Sequence, residues 1–194
     1  MTQKKLLLRS LWLLLCISII LSSYLSPVFG FKTLAPGMIL PQFKLDATEA
    51  EETKQYLGLK NLKSFTLSQI PAKLILIEVF SLYCPICHKQ APIANTIYNF
   101  IQNNPKLRKD IKMIGIGAGN NLKEIKAYKT QFRVSFPLFS DPDFSIHKKM
   151  GEPRTPFTIL VNRNGKILFT HFGVVEDVDA FIRKIREINE QQNR

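Results

Sequence analysis

Two cysteines stand two residues apart at the junction between a strand-like segment and a helix-like segment. The apolar run Leu74–Phe80 is typical of a buried central strand, and Cys84-Pro85-Ile86-Cys87 follows it at the start of a helical pattern. The N-terminus of a helix favours a negative charge, so the thiolate of Cys84 is the expected form there. A thiolate attacks a disulfide, and a second thiol within reach resolves the mixed disulfide that forms. This junction therefore predicts thiol–disulfide exchange.

The cysteine content argues against a small fold held together by disulfides. The 194-residue chain has three cysteines, Cys16, Cys84 and Cys87, and 45% of its residues are hydrophobic. One pair plus a cysteine in an apolar leader fits a redox pair, and the length suits one domain behind a targeting segment. The net charge is +12, but the basic residues are scattered without interleaved aromatic residues. No nucleic-acid partner is therefore predicted.

The first 30 residues have the pattern of an export segment. Lys4, Lys5 and Arg9 precede an apolar run over residues 11–21. The segment is interpreted either as a signal peptide, cleaved after Val28-Phe29-Gly30, or as a retained N-terminal membrane anchor. In both cases the positive charges stay inside, and residues 31–194 form one exported domain in the periplasm or at the outer face of the cytoplasmic membrane.

Strand and helix patterns alternate along the chain after the lead-in. This alternation, closed by a hairpin at Asn164-Gly165 and a C-terminal helix, predicts an α/β fold with a central mixed sheet flanked by helices. A short N-terminal hairpin is also expected, between strands in residues 38–45 and 64–67. Further predicted elements are a helix after Cys84 that contains Pro92, a strand at Ile111–Ile116, a helix over Leu122–Phe132, a strand at Phe136–Phe139 and a short helix that starts at Asp141-Pro142-Asp143.

Five sequence features occur together along the chain. They are Glu78 on the strand, the Cys84–Cys87 motif, Pro92 in the helix, Thr155-Pro156 before a strand, and the Asn164-Gly165 hairpin. With these features the chain resembles the thioredoxin superfamily over residues 37–190, and more narrowly its exported TlpA/ResA-like branch within the redoxin (AhpC-TSA) group. The resemblance implies a thioredoxin-like fold and a protein disulfide reductase that uses no cofactor.

The resemblance also implies a role for each site residue. Cys84 would be the nucleophile and Cys87 the resolving thiol. Glu78 would lie beneath Cys87 and move its proton, since burial raises the pKa of a carboxyl group. In such proteins the proline that corresponds to Pro156 forms a cis peptide bond. The preceding residue, here Thr155, offers its backbone to an extended substrate. The implied catalytic residues are Cys84, Cys87 and Glu78; the implied substrate-binding residues are Thr155, Pro156, Tyr83, Pro85 and Ile86, with Phe80 beside Tyr83 in the wall of the site.

The motif also matches the attachment signature of c-type haem, because His88 follows Cys87. In that interpretation both thiols bond haem and His88 ligates iron, giving an electron carrier. The strand-rich pattern, the position of Glu78 and the Thr155-Pro156 loop favour exchange instead. In the exchange interpretation, His88 stabilises the Cys84 thiolate as a cation.

Two further interpretations compete within the same fold group. A peroxiredoxin-like peroxidase places Ser or Thr three residues before its reactive cysteine and Pro seven before it; Ser81 meets the first condition and Ile77 fails the second. Arg154 would be the residue that polarises peroxide. A metal-delivery protein would space its cysteines by three residues, and this chain has no second cysteine pair to complete a zinc site.

The sequence therefore predicts an extracytoplasmic thiol–disulfide oxidoreductase. The resemblance favours reduction of disulfide- or dithiol-containing exported proteins, with cytochrome c maturation as one setting and a membrane thiol carrier as electron donor. The direction of electron flow depends on the reduction potential, since about 30 mV changes the equilibrium constant tenfold.

Overall fold

The computed structural model describes residues 34–46, 51–60 and 63–192. The predicted export segment lies outside these residues, as does Cys16. No helix within the described ranges has both the length and the apolar character needed to cross a membrane.

The centre of the molecule is a five-stranded sheet, in the order β5-β4-β3-β6-β7. β3 pairs in parallel with β4 and antiparallel with β6, β4 pairs in parallel with β5, and β6 pairs antiparallel with β7. The predicted mixed sheet is confirmed. The strands are β1 (Leu45–Asp46), β2 (Ser64–Phe65), β3 (Leu74–Phe80), β4 (Ile111–Ala118), β5 (Leu138–Asp141), β6 (Phe157–Asn162) and β7 (Ile167–Phe172).

Helices lie along the chain between these strands and after the last one. They are α1 (Glu51–Leu57), α2 (Pro85–Asn103), α3 (Pro105–Asp110), α4 (Leu122–Gln131), α5 (Ser145–Lys149) and α6 (Val178–Gln191). α2 contains Pro92, as the sequence predicts. α3 has no counterpart among the predicted elements; Asn104 caps it by accepting hydrogen bonds from Lys106 N and Leu107 N, both at 3.1 Å.

The N-terminal hairpin is present, but its strands are shorter than predicted. β1 and β2 pair antiparallel over two residues each, and α1 lies between them in the chain. Upstream, Ile39 makes a single antiparallel bridge to Lys166 instead of extending β1. Leu45 and Phe65 are buried in the hydrophobic core, so the hairpin is tied to the domain by its side chains.

Two predicted element boundaries near β5 are wrong by a few residues. The strand predicted at Phe136–Phe139 is β5, whose register is set by parallel pairing of Gly115 with Leu138. The helix predicted from Asp141 begins at Ser145, because the Asp141 carboxylate accepts hydrogen bonds from Ile146 N and His147 N at the helix start.

The sheet brings three loops to one end. β3, β4 and β5 run in the same direction, so the segments that follow them meet at the edge where antiparallel β6 begins. The Cys84 motif follows β3, the turn at Gly119 follows β4, and Thr155-Pro156 precedes β6. The side chains that the resemblance implied therefore lie at one end of the sheet.

Candidate active site

Cys84 occupies the position that caps the N-terminus of α2. Its backbone is extended, and its Sγ accepts a hydrogen bond from Cys87 N at 3.2 Å. Pro85 takes the first helical position, where the absence of an N–H group is harmless because that group has no partner in a helix. The local sequence thus places one sulfur where the free N–H groups and the helix dipole favour negative charge.

The two thiols have opposite environments. Both are free; Cys84 is partly exposed, whereas Cys87 is fully buried. Burial alone would raise the pKa of Cys84, but hydrogen bonds from the side chains of Cys87 and Thr155 and from the backbone at Cys87 and Ile86 outweigh it, and the net shift is downward. Burial, with the hydrogen bond to Cys84, raises the pKa of Cys87 to about 12. Cys84 is thus the accessible thiol with the more stable thiolate, and Cys87 holds its proton.

The loop before β6 faces the first cysteine. The Thr155–Pro156 peptide bond is cis, as the resemblance implied. The Cys84 thiol donates to the carbonyl oxygen of Thr155 at 3.5 Å. Pro156 is buried and Thr155 half-buried, so the backbone at Thr155 lies at the surface next to the sulfur.

Glu78 is a buried carboxyl group in the middle of β3. It is 4% exposed, and its Oε2 accepts a hydrogen bond of 2.7 Å from the Thr158 hydroxyl. Burial raises the pKa of Glu78 to about 7, against the opposing hydrogen bond from Thr158 and a weaker polar contribution from Gln90. A carboxyl group with this pKa exchanges protons at neutral pH.

The alternation of side chains along β3 sets the side of the sheet on which Glu78 lies. Leu76 and Phe80, two residues away on either side, pack in the same cluster as Cys87 and Ala91 of α2. Glu78 therefore faces α2, the helix that carries both cysteines.

Asn120 of the turn between β4 and α4, and Glu124 of the first turn of α4, hold the loop that precedes Cys84. Asn120 is fully buried, and its Oδ1 accepts a hydrogen bond from Leu82 N at 2.8 Å. The Tyr83 hydroxyl donates to the Glu124 carboxylate. The sequence predicted only that a strand ends and a helix begins here, at Ile116 and Leu122. Asn and Glu are common in exposed turns, so their residue types carried no signal of this contact.

Tyr128 is a second residue that supports the site and that the sequence did not identify as functional. The sequence predicted only that it lies in the helix over Leu122–Phe132. In the structure its hydroxyl donates to the carbonyl oxygen of Cys87 at 3.0 Å, and its ring stacks on Phe80 at 4.2 Å. Burial raises its pKa well above the usual value, and the negative charges of Cys87, Glu78 and Cys84 add to this effect. The phenol therefore remains protonated and supports the first turn of α2.

His88 contacts the backbone of the preceding loop. Its Nε2 lies 2.7 Å from the carbonyl oxygen of Leu82, and its ring centroid is 4.8 Å from that of Phe132. The imidazole thus links α2 to the segment before Cys84, a contact that neither sequence interpretation of His88 included.

The predicted substrate-contacting residues divide into exposed and buried groups. Tyr83 is 69% exposed and Ile86 52% exposed, and Pro85 is also exposed, so these three form an apolar surface next to Cys84. Phe80 is only 1% exposed and lies in the core, so the expectation that it lines the site beside Tyr83 is wrong.

Arg154, the candidate for the peroxidase interpretation, is exposed next to Thr155. Among the residues that the structure describes, no group of three His, Cys, Asp or Glu side chains is placed to hold a metal ion.

Comparison with known proteins agrees with this architecture. ResA, a thiol-disulfide oxidoreductase from Geobacillus thermodenitrificans, is 21% identical over 187 residues, covering 95% of this chain and 98% of that protein. A crystal structure from Chlorobium tepidum, assigned as the thiol:disulfide interchange protein DsbE, superposes with a TM-score of 0.64 at 18% identity, covering 81% of this chain and 99% of that one. The thioredoxin domain of a Bacteroides vulgatus thiol-disulfide oxidoreductase gives a TM-score of 0.60 at 17% identity, covering 79% and 99%.

The likeness to the solved structures confirms the thioredoxin-like fold. The family match and the ResA relatives support the class of thiol–disulfide oxidoreductase enzymes. The Redoxin family model matches residues 35–182, so the chain belongs to the Redoxin family. The resemblance to the TlpA/ResA-like branch is likewise confirmed.

Proposed function

We propose that the protein reduces disulfides in other proteins through the Cys84–Cys87 dithiol. The observation that carries the proposal is the division between the two thiols. Cys84 is accessible at a helix N-terminus with a lowered pKa, and Cys87 is buried with its pKa raised to about 12. One sulfur is therefore ready to attack, and the other reacts only when a base removes its proton.

In the first step, the Cys84 thiolate attacks one sulfur of the substrate disulfide. An S–S bond forms between Cys84 and that sulfur, and the other substrate sulfur leaves as a thiolate that takes a proton from solvent. The extended substrate lies along the backbone at Thr155 and against the apolar surface of Tyr83, Pro85 and Ile86. The buried ring of Pro156 holds the Thr155 backbone in this place.

In the second step, Glu78 accepts the proton of Cys87. The Cys87 thiolate attacks Cys84 Sγ, the Cys84–Cys87 disulfide forms, and the second substrate sulfur leaves as a thiolate. Two electrons have passed from the dithiol to the substrate. A dithiol donor then reduces the enzyme again by the same chemistry in reverse.

We infer an extracytoplasmic location, with exported proteins as substrates and a membrane thiol carrier as donor. The support is the pattern of residues 1–30, which is that of a signal peptide or membrane anchor, together with the ResA relatives. Maturation of c-type cytochromes, in which haem-attaching cysteines must be reduced, is the setting that the family resemblance favours.

The test combines an insulin-reduction assay with single cysteine substitutions and a redox titration. Cys84→Ser is expected to abolish turnover, and Cys87→Ser is expected to accumulate a mixed disulfide with substrate, detected by non-reducing mass spectrometry. Cys16→Ser is the matched control and should retain full activity. A reduction potential near the thioredoxin value of about −270 mV supports a reductase, whereas one near the value of about −120 mV for DsbA indicates an oxidant.

The same samples separate the competing interpretations. Full insulin reduction by Cys84→Ser would show that the nucleophile is wrongly assigned. A haem absorption band near the Soret wavelength, or peroxide turnover that needs Cys84 but not Cys87, would replace the proposal with the electron-carrier or the peroxidase interpretation.

A further inference from the structure

One oxygen of the Glu78 carboxyl group is held by a side chain from β6, while the other, Oε1, is buried without a hydrogen-bond partner among the described residues. Thr158 lies directly opposite Glu78 in the antiparallel pairing of β3 with β6, and its hydroxyl donates to Oε2 at 2.7 Å. Thr158 is itself only 1% exposed. On the other side of Glu78, the parallel partner in β4 is Gly115, which has no side chain to compete for the carboxylate.

Gln90 of α2 is the second neighbour of this carboxyl group. It is buried, and its Oε1 accepts a hydrogen bond from Val175 N at 3.0 Å. The amide nitrogen Nε2 of Gln90 is buried and has no hydrogen-bond partner among the described residues. Gln90 favours the ionised carboxylate more weakly than Thr158 does. Gln90 lies one helical turn beyond Cys87, so it connects Glu78 with the helix that carries the resolving thiol.

Among the described residues, no charged side chain shifts the pKa of Glu78, which responds to burial, Thr158 and Gln90. From α2 the titratable groups are the thiols of Cys84 and Cys87, and from α4 the phenol of Tyr128, which interacts with all three acidic groups. β4 contributes Gly115 and β6 contributes Thr158. The hydroxyl of Thr158 is therefore the strongest polar contact that the carboxylate has.

We propose that Thr158 is a positioning residue for the thiol chemistry: its hydroxyl holds the Glu78 carboxyl group in the ionised form that accepts the Cys87 proton, and Gln90 assists from α2. The inference rests on the proposed function of Glu78. Without the hydroxyl, the carboxylate would be buried with no strong donor, and it would remain protonated at neutral pH. The resolving step would then need a higher pH.

The first measurement is an NMR titration of the Glu78 carboxyl carbon in the full-length protein. Thr158→Val replaces the hydroxyl with a methyl group of similar size, and Thr158→Ser keeps the hydroxyl. Because the lost hydrogen bond stabilises the charged form, Thr158→Val should raise the pKa of Glu78 by about one unit or more. Thr158→Ser should restore it, and Gln90→Leu should give a smaller upward shift.

The second measurement is the pH dependence of the resolving step, followed in a single turnover with a self-quenched fluorescent peptide disulfide. In Thr158→Val the rate should fall about five-fold at pH 7 and recover near pH 9, because the ionised fraction of Glu78 falls from about one half to about one tenth. Thr170→Val, the same change on the neighbouring strand β7, is the matched control and should leave the profile unchanged. Thr158→Ala is a second hydroxyl deletion if valine disrupts the fold.

The outcomes distinguish the inference from the proposed function. If the wild-type protein reduces no disulfide, the proposed function fails, while the NMR titration still measures the effect of Thr158 on Glu78. If the wild type is active but both hydroxyl deletions leave the carboxyl titration and the pH profile unmoved, Thr158 is only structural and the inference is overturned.

Discussion

At the scale of single residues, three ionisable groups of ordinary type acquire different properties from their surroundings. Cys84 and Cys87 belong to one motif, yet hydrogen bonds from Cys87, Thr155 and the helix backbone lower the pKa of the first thiol, and burial raises that of the second to about 12. Burial likewise raises the pKa of Glu78 to about 7. The sequence located these three residues, but the hydroxyl on Glu78 comes from Thr158, 80 positions away, and no local pattern marks it.

Glu78 should make stability depend on pH. The unfolded chain releases this proton near pH 4.5, whereas the folded protein keeps it until about pH 7. The folded state therefore binds more protons between these values, and the free energy of unfolding falls as the pH rises through this range. We expect Glu78→Gln to raise the free energy of unfolding at pH 8 by up to about 3 kcal/mol and to change it little at pH 4.

Urea unfolding at a series of pH values measures this difference. Glu190→Gln, on the exposed side of α6, is the control and should track the wild type. Parallel curves for the wild type and Glu78→Gln between pH 4 and pH 8 would contradict the raised pKa of Glu78.

At the scale of elements, the site depends on how the start of α2 is held by its neighbours. Pro85 and the cysteine cap fix where the helix begins, and the sequence predicted this start. The loop before it is fixed by Asn120 of the β4–α4 turn and by Glu124 of α4, and the carbonyl of Cys87 is fixed by Tyr128 of α4. These contacts join segments about 40 residues apart, so the spacing within any one segment gave no indication of them.

Loss of the Asn120 side chain should make the loop that precedes Cys84 more mobile. Asn120→Ala leaves the Leu82 N–H without its partner, and we expect a loss of about 1–3 kcal/mol in the free energy of unfolding. Alkylation of Cys84 by iodoacetamide at pH 7 should also slow, because a mobile loop weakens the capping position that favours the thiolate. Asn99→Ala, at an exposed site on α2, should change neither quantity. Unchanged alkylation in a clearly destabilised Asn120→Ala protein would show that the turn does not position Cys84.

At the scale of the whole molecule, the sheet separates two hydrophobic clusters. One contains Leu45 and Phe65 of the N-terminal hairpin together with Phe139 of β5; the other contains Cys87 and the buried faces of α2, α4 and α6. The reactive thiols thus sit on the side of the sheet opposite the hairpin. The hairpin therefore contributes to stability, but its buried side chains belong to a different cluster from that of the reactive thiols.

Truncation of Phe65 tests this separation. Its ring packs edge-on against Phe139 with centroids 5.4 Å apart, and it is 1% exposed. Phe65→Ala should lower the free energy of unfolding by about 3–5 kcal/mol and leave the alkylation rate of Cys84 in the folded protein unchanged. Phe172→Ala, at a position 60% exposed, is the control and should alter neither. A large change in Cys84 reactivity in folded Phe65→Ala would contradict the independence of the two faces.

Some properties of this protein follow from local sequence. The continuous apolar run of β3, the proline and capping cysteine of α2 and the Asn164-Gly165 turn each determine backbone conformation within a few residues, so their elements could be predicted. Tertiary structure decided the rest. It set the register of β5, the pairing of β1 with β2 over only two residues each, and the hydrogen-bond partners of Glu78 and of the loop before Cys84. Each of these depends on which distant groups meet when the two faces of the sheet are covered, and residue types in one segment do not specify that geometry.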